Sequence, residues 1–144
     1  MITTTRGFSL SIRTTLPFAQ CLDLLRRSLR EAGLHIVTEI PFHDEFKRHV
    51  GMPWQNYTVL VVWSPFVAYQ ALRSDSHAGV FMPFNFVVAE DEEFTLIATT
   101  DHFVSSRAMG TLGMLGLSRG LTRKISEIFS KFSAEEKFAT DVCA

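Results

Sequence analysis

Only two cysteines occur in the 144 residues, Cys21 and Cys143. Cys21 falls on the apolar side of an expected helix and Cys143 is the penultimate residue, so no disulfide is expected between them. That usage suits a reducing compartment. No charge of one sign dominates: 14 Lys and Arg stand against 15 Asp and Glu, a formal net charge of −1. Nucleic-acid binding draws on a basic face that releases counterions from phosphate, and no such run is present. Nor does any stretch approach the ~18 uninterrupted apolar residues of a membrane span. The N-terminus, Met1-Ile2-Thr3-Thr4-Thr5-Arg6, lacks the charged-then-apolar order of a signal peptide. Asn56-Tyr57-Thr58 would be a glycosylation acceptor only in an exported chain and is read as a chance match. The expectation is a cytoplasmic protein with neither nucleic-acid nor membrane partner.

Catalytic signatures are equally scarce. There is no Gly-x-Ser-x-Gly elbow and no phosphate loop ending in Gly-Lys-Ser/Thr. The glycines at 110, 113, 116 and 120 do not follow a strand and lack the partners of a dinucleotide fingerprint. No cofactor is expected.

What is abundant is apolar and aromatic. Hydrophobic residues make up 47% and charged residues 20%, which excludes disorder for the chain as a whole. Thirteen phenylalanines predict an aromatic-rich core, some of it lining a cavity or an interface. The length fits one domain over 1–144, and no repeat or linker divides it.

Along the chain, Phe8, Leu10 and Ile12 alternate with polar residues, the period of a half-buried strand. Thr15 and Pro17 read as a helix start. Phe18, Leu22, Leu25 and Leu29 then form one apolar stripe that ends at Gly33. A strand follows over Leu34–Ile40, and a short helix carries Phe42, Phe46 and Val50 before Gly51. Tyr57–Trp63 is apolar at nearly every position, as in a central strand. Ser64-Pro65 is a cap with proline at the first helical position; this helix stops before Asp75. Val80–Ala89, interrupted by Pro83, and Phe94–Thr99 read as a hairpin around Glu90-Asp91-Glu92-Glu93. Ser105 or Ser106 is expected to open a long helix reaching about Phe132, with Leu121, Ile125, Ile128, Phe129 and Phe132 on one face. Its glycines each cost about 1 kcal/mol relative to alanine, so either a broken helix or a close backbone approach is expected there. The greasy Ala108–Leu117 segment is the expected self-association surface.

Ser64-Pro65, Ala68, Ala71-Leu72, Asp75, Gly79, Pro83-Phe84-Asn85 and Val87-Val88, taken in order, resemble the bacterial and archaeal family called domain of unknown function 302. Upstream, Leu29, Glu31-Ala32-Gly33-Leu34 and Glu39-Ile40 resemble its opening. This likeness spans roughly Phe8 to Asp101, leaving a helical extension at about 105–132. The resemblance implies an α+β fold, a two-layer α/β sandwich whose antiparallel sheet carries helices on one face, and a homodimer. It implies no established activity. Relatives often have cysteine where this chain has Trp63 and Phe84, so if those cysteines carry thiol or thiolate-metal chemistry in relatives, this chain cannot do it in that way.

His43, Asp44, Glu45 and His49 cluster in the short helix, and Glu45 with His49 has the spacing of one helical face. A catalytic metal wants about three converging ligands; Asp101-His102 is the available third source. A solvated face explains the cluster better, so no metal is expected. Cys21, between Phe18 and Leu25, reads as core rather than nucleophile. Trp63 and Phe84, which the family resemblance places on adjacent strands with Ser64 and Asn85 beside them, are the candidate ligand-binding set: apolar walls with a few placed polar groups. Plain core filling is the alternative. The leading expectation is a non-catalytic homodimeric domain that binds a small apolar or aromatic ligand. A structural or interaction module without ligand comes next, and a metal-dependent enzyme using the His/carboxylate cluster third.

Overall fold

The computed structural model describes residues 3–101 and 112–143. It is an α+β sandwich with a six-stranded, wholly antiparallel sheet and a long C-terminal helix. The strands are β1 (Thr3–Arg6), β2 (Ser9–Thr14), β3 (His35–Pro41), β4 (Tyr57–Trp63), β5 (Phe84–Asp91) and β6 (Phe94–Thr100). They lie in the order β1-β2-β6-β5-β4-β3. The helices are α1 (Phe18–Glu31), α2 (Phe42–His49), α3 (Pro65–Ser74) and α4 (Leu112–Cys143), with a 3-10 turn at Ser76–Phe81.

The pleat sorts the strands into two faces, because successive side chains point to opposite sides. Register places Leu10 and Ile12 opposite Thr99 and Ile97, Phe86 and Val88 opposite Thr99 and Ile97, and Leu60 and Val62 opposite Phe86 and Phe84. These apolar side chains are all buried, and they share one core with Leu25 and Leu29 of α1 and Ile125, Phe129 and Phe132 of α4. This is the inner face. Phe86 and Phe129 meet edge to face with ring centroids 6.5 Å apart.

The expected α1 stripe is where the sequence placed it, with Leu22, Leu25 and Leu29 buried. Its end is a glycine-dependent cap. Gly33 adopts φ +77°, its N–H donates to Arg30 O at 3.0 Å, and the Leu34 N–H donates to Leu29 O at 2.9 Å. Only glycine holds that left-handed backbone without penalty. The helix start differs from expectation. Pro17 itself occupies the cap position, while the Thr15 hydroxyl donates to Glu136 Oε1 of α4 at 2.9 Å and the Thr14 hydroxyl to Oε2 at 2.9 Å. One carboxylate thus ties the β2–α1 corner to the far end of α4.

Other differences have local causes. Phe8 is 66% exposed and precedes β2, so the expected alternation starts only at Leu10. Val80–Met82 do not join a strand; β5 begins at Phe84, just after Pro83, which has no N–H to offer a ladder. The last helix runs beyond Phe132 to Cys143, where Ala139 still packs on the core. Ser105, Ser106 and Ala108–Gly110 lie outside the described residues, as do the side chains of 112–118, so the expected self-association segment falls there. At Gly120 an added methyl would meet nothing within 4 Å, so no close backbone approach requires that glycine.

Candidate functional site

The four expected site residues divide between the two faces. Val62 pairs with Phe84 and Val61 with Asn85. Val62 and Phe84 therefore point inward, while Trp63 and Asn85 point outward. Phe84 is 7% exposed in the core, its ring 6.0 Å from Phe86. Trp63, the last residue of β4, is 38% exposed. The expectation of a cavity with Trp63 and Phe84 as facing walls is corrected: residues of opposite parity on paired strands cannot share a wall. Ser64 is buried, and its hydroxyl accepts from the Val67 N–H at 3.3 Å as the cap of α3. A hydroxyl so engaged has little left for a ligand.

Asn85 leads to a different site. On the outer face a trough of about 250 Å³ is lined by Asn85 and Val87 of β5, Leu96, Ala98 and Thr100 of β6, and Tyr57 of β4, with Phe8 and Ser9 at its rim. Val59 lies opposite Val87 and Val87 opposite Ala98, so an apolar row crosses three strands and ends at Ser11 of β2, opposite Ala98. Asn85, Ser9 and Thr100 make one end polar. Thr99 Oγ1 donates to the Asn85 carbonyl at 2.8 Å, which fixes the backbone, whereas the exposed Asn85 amide makes no hydrogen bond among the described residues. It can donate and accept at once.

Tyr57 is held from behind. Its ring stacks on Phe42 at 5.4 Å and 17°, and its backbone N–H and C=O lie 3.0 and 3.1 Å from His43 Nδ1. Phe46 tilts against Phe42 at 5.8 Å and Trp54 meets Phe46 edge-on at 5.6 Å. An aromatic row running back through α2 therefore fixes one wall of the trough.

Of the residues lining the trough, Asn85 is singled out by the sequence, and Tyr57, Leu96 and Ala98 are not. The available signal was that β4 and β6 are apolar on both parities, which a strand with one solvated face does not need.

The other constellations are occupied or inert. Glu45 accepts from Arg48 at 2.6 Å and lies 3.1 Å from His49 Nε2, so the pair weighed as metal ligands sits on a helix surface beside an arginine. His102 lies outside the described residues. Among the described residues no group of three His, Cys, Asp or Glu could hold a metal. Cys21 is fully buried, its thiol directed at Leu16 O at 3.5 Å, and burial pushes its pKa up to about 11. A thiol so protonated is a core residue and not a nucleophile. A second hollow of about 500 Å³ opens between the end of α1 and β3, lined by Arg30, His35 and Glu39 among others. Its carboxylate is already held by the Arg26 guanidinium through two 2.8 Å bonds.

No helix among the described residues is long and apolar enough to cross a membrane. Compared with known proteins, residues 10–132 match the model of a domain of unknown function, DUF302. That match extends past the 8–101 stretch carrying the sequence likeness and takes in α4 as far as Phe132. The fold is similar to the crystal structure of an uncharacterised conserved protein DUF302 from Bacillus stearothermophilus: TM-score 0.81 at 15% identity, covering 88% of this chain and 99% of that one. No curated protein matches. With most of its length matched and the two-layer architecture in common, the chain belongs to the DUF302 family of domains of unknown function.

Proposed function

We propose that this protein is a non-catalytic, homodimeric cytoplasmic domain that binds a small, largely apolar or aromatic ligand in the outer-face trough. One observation carries the reading: an apolar floor of Val87, Leu96 and Ala98 ends in an Asn85 side chain that has no partner among the described residues. Apolar walls with a few orienting polar groups are how small-molecule sites are built.

The trough offers a hydrogen-bond donor and acceptor at one end and a tyrosine ring on one wall. It suits a flat aromatic ring bearing one polar substituent, with indole and benzoate as simple probes. Thermal shift measures this directly, since a ligand that binds only the folded state stabilises it by about 2.7 kcal/mol at a hundred times its Kd. The expected result is a rise in melting temperature with at least one aromatic probe. The Ala98→Leu protein, its trough filled, should fold normally and lose that rise. If no probe raises the melting temperature, or the rise survives in Ala98→Leu, ligand binding in the trough is wrong.

The rival reading, an interaction module without ligand, is favoured by a separate patch. Phe66, Tyr69 and Leu72 on α3 and Val80 and Phe81 in the 3-10 turn are between 40% and 83% exposed.

A further inference from the structure

We infer that a second copy of this chain covers the outer face of the sheet, so that each trough is half of a site closed by the partner. This rests on the homodimeric ligand-binding reading and says where the two chains meet. Among the described residues only the short α2 reaches the outer face, where Phe42 stacks on Tyr57, and a solvated face is ordinarily polar. Here the partly exposed Val61, Val87, Leu96 and Ala98 occupy the centre of that face beside the buried Val59 and Ala89. The charged pair on it, Arg13 and Asp91, stands at one edge at 3.7 Å, so no unpaired charge would be buried in the middle. Around the rim stand Phe8, Val37, Trp63 and Phe94, each between 38% and 66% exposed.

The area suffices. Five strands about 4.8 Å apart and about seven residues long span roughly 24 by 23 Å. Two such faces laid together bury on the order of 1,000 Å² as projected area, and more once side-chain relief is counted, which meets the threshold for a specific interface. Sheets pack face to face about 10 Å apart. A twofold axis lays the patch on its own copy, so the large rim residues meet and the small central ones leave the two troughs facing each other across a gap. Two facing troughs of about 250 Å³ would enclose about 500 Å³, inside the ordinary range for a small-molecule site, where one open trough falls just below it.

The test measures mass and surface accessibility on the full chain. Light scattering at tens of micromolar, the working range for a specific dimer, should give twice the chain mass. Val87→Lys, which puts two like charges at the centre of the contact, should give the single-chain mass with an unchanged circular dichroism spectrum. Phe66→Lys on α3 should leave the dimer intact. Because Val87→Lys could fail to fold, hydroxyl-radical footprinting of the wild type supplies an independent readout. On concentration from monomer to dimer, Tyr57, Leu96 and Phe94 should become several-fold less reactive while Phe66 and Tyr69 do not change. A dimer that persists in folded Val87→Lys, or protection on Phe66 and Tyr69 instead, overturns this interface and leaves the homodimer standing. A wild type that stays monomeric overturns both. A dimer of the expected kind that binds no aromatic probe keeps the interface and removes the ligand.

Discussion

The two faces of this sheet are built from the same strands and the same classes of residue, yet they do different work. Inward, Phe86 and Val88 are fully buried against α1 and α4; outward, their immediate neighbours Val87 and Asn85 line a trough that no helix among the described residues fills. Apolar character alone therefore does not mark core in this protein. The distinction lies in what covers each face. On the inner face large aromatics and leucines interlock, whereas the outer face is paved with valine and alanine and carries its large rings at the rim.

The sharpest way to break the comparison is to truncate neighbours of opposite parity. Phe86→Ala should cost about 3–5 kcal/mol, read from the denaturant midpoint, because it empties a fully buried site between β5 and α4. Val87→Ala, one residue along, should cost well under that and should instead weaken the probe-induced thermal shift. Equal losses at the two positions would mean that the outer face is packed in the monomer as well.

A smaller effect is expected where α4 closes the inner layer. Glu136→Ala removes the acceptor of two threonine hydroxyls, one of them on the buried Thr14. Leaving such a group unsatisfied costs about 1–3 kcal/mol. Gly120→Ala should move stability the other way, raising it by about 1 kcal/mol, since the position is helical and its methyl would meet open space. A destabilised Gly120→Ala would show that something does approach α4 there.

The least effect belongs to the Glu31–Lys131 pair, which joins α1 to α4 at the surface. Lysine beside it holds the Glu31 carboxyl below its ordinary value. A carboxylate so lowered adds stability above its unfolded pKa and loses it as pH falls through the folded one. A slight drop in stability should thus appear only at and below the ordinary carboxylate range, and Glu31→Gln should flatten it. Loss of stability confined to alkaline pH would contradict the assignment.

Much of the fold was legible because local chemistry and global structure agree. The α1 stripe, the Gly33 stop, the Ser64-Pro65 start and the Leu121–Phe132 face each follow from spacing and capping alone. The site was legible only in part. Asn85, singled out in the sequence, lines the trough, and Trp63 lies on the same face; pairing Trp63 with Phe84 failed because which residues share a wall depends on register. The Val62–Phe84 pairing is set by contacts distant in sequence. Tyr57 escaped notice for a related reason. Its place in the trough wall is fixed by stacking on Phe42 and by His43, neither of which marks a binding residue in a linear reading.

The central claim is that the outer face, and not the Trp63–Phe84 pair or the His/carboxylate helix, is the working surface. Amide and methyl NMR during titration with an aromatic probe tests it most directly, because every candidate reports at once. The account predicts concentration-dependent shifts at Tyr57, Asn85, Val87, Leu96 and Ala98, with Phe84, Glu45 and His49 unmoved. Shifts centred on α2 or on the inner core around Phe84, with the outer strands silent, would contradict it.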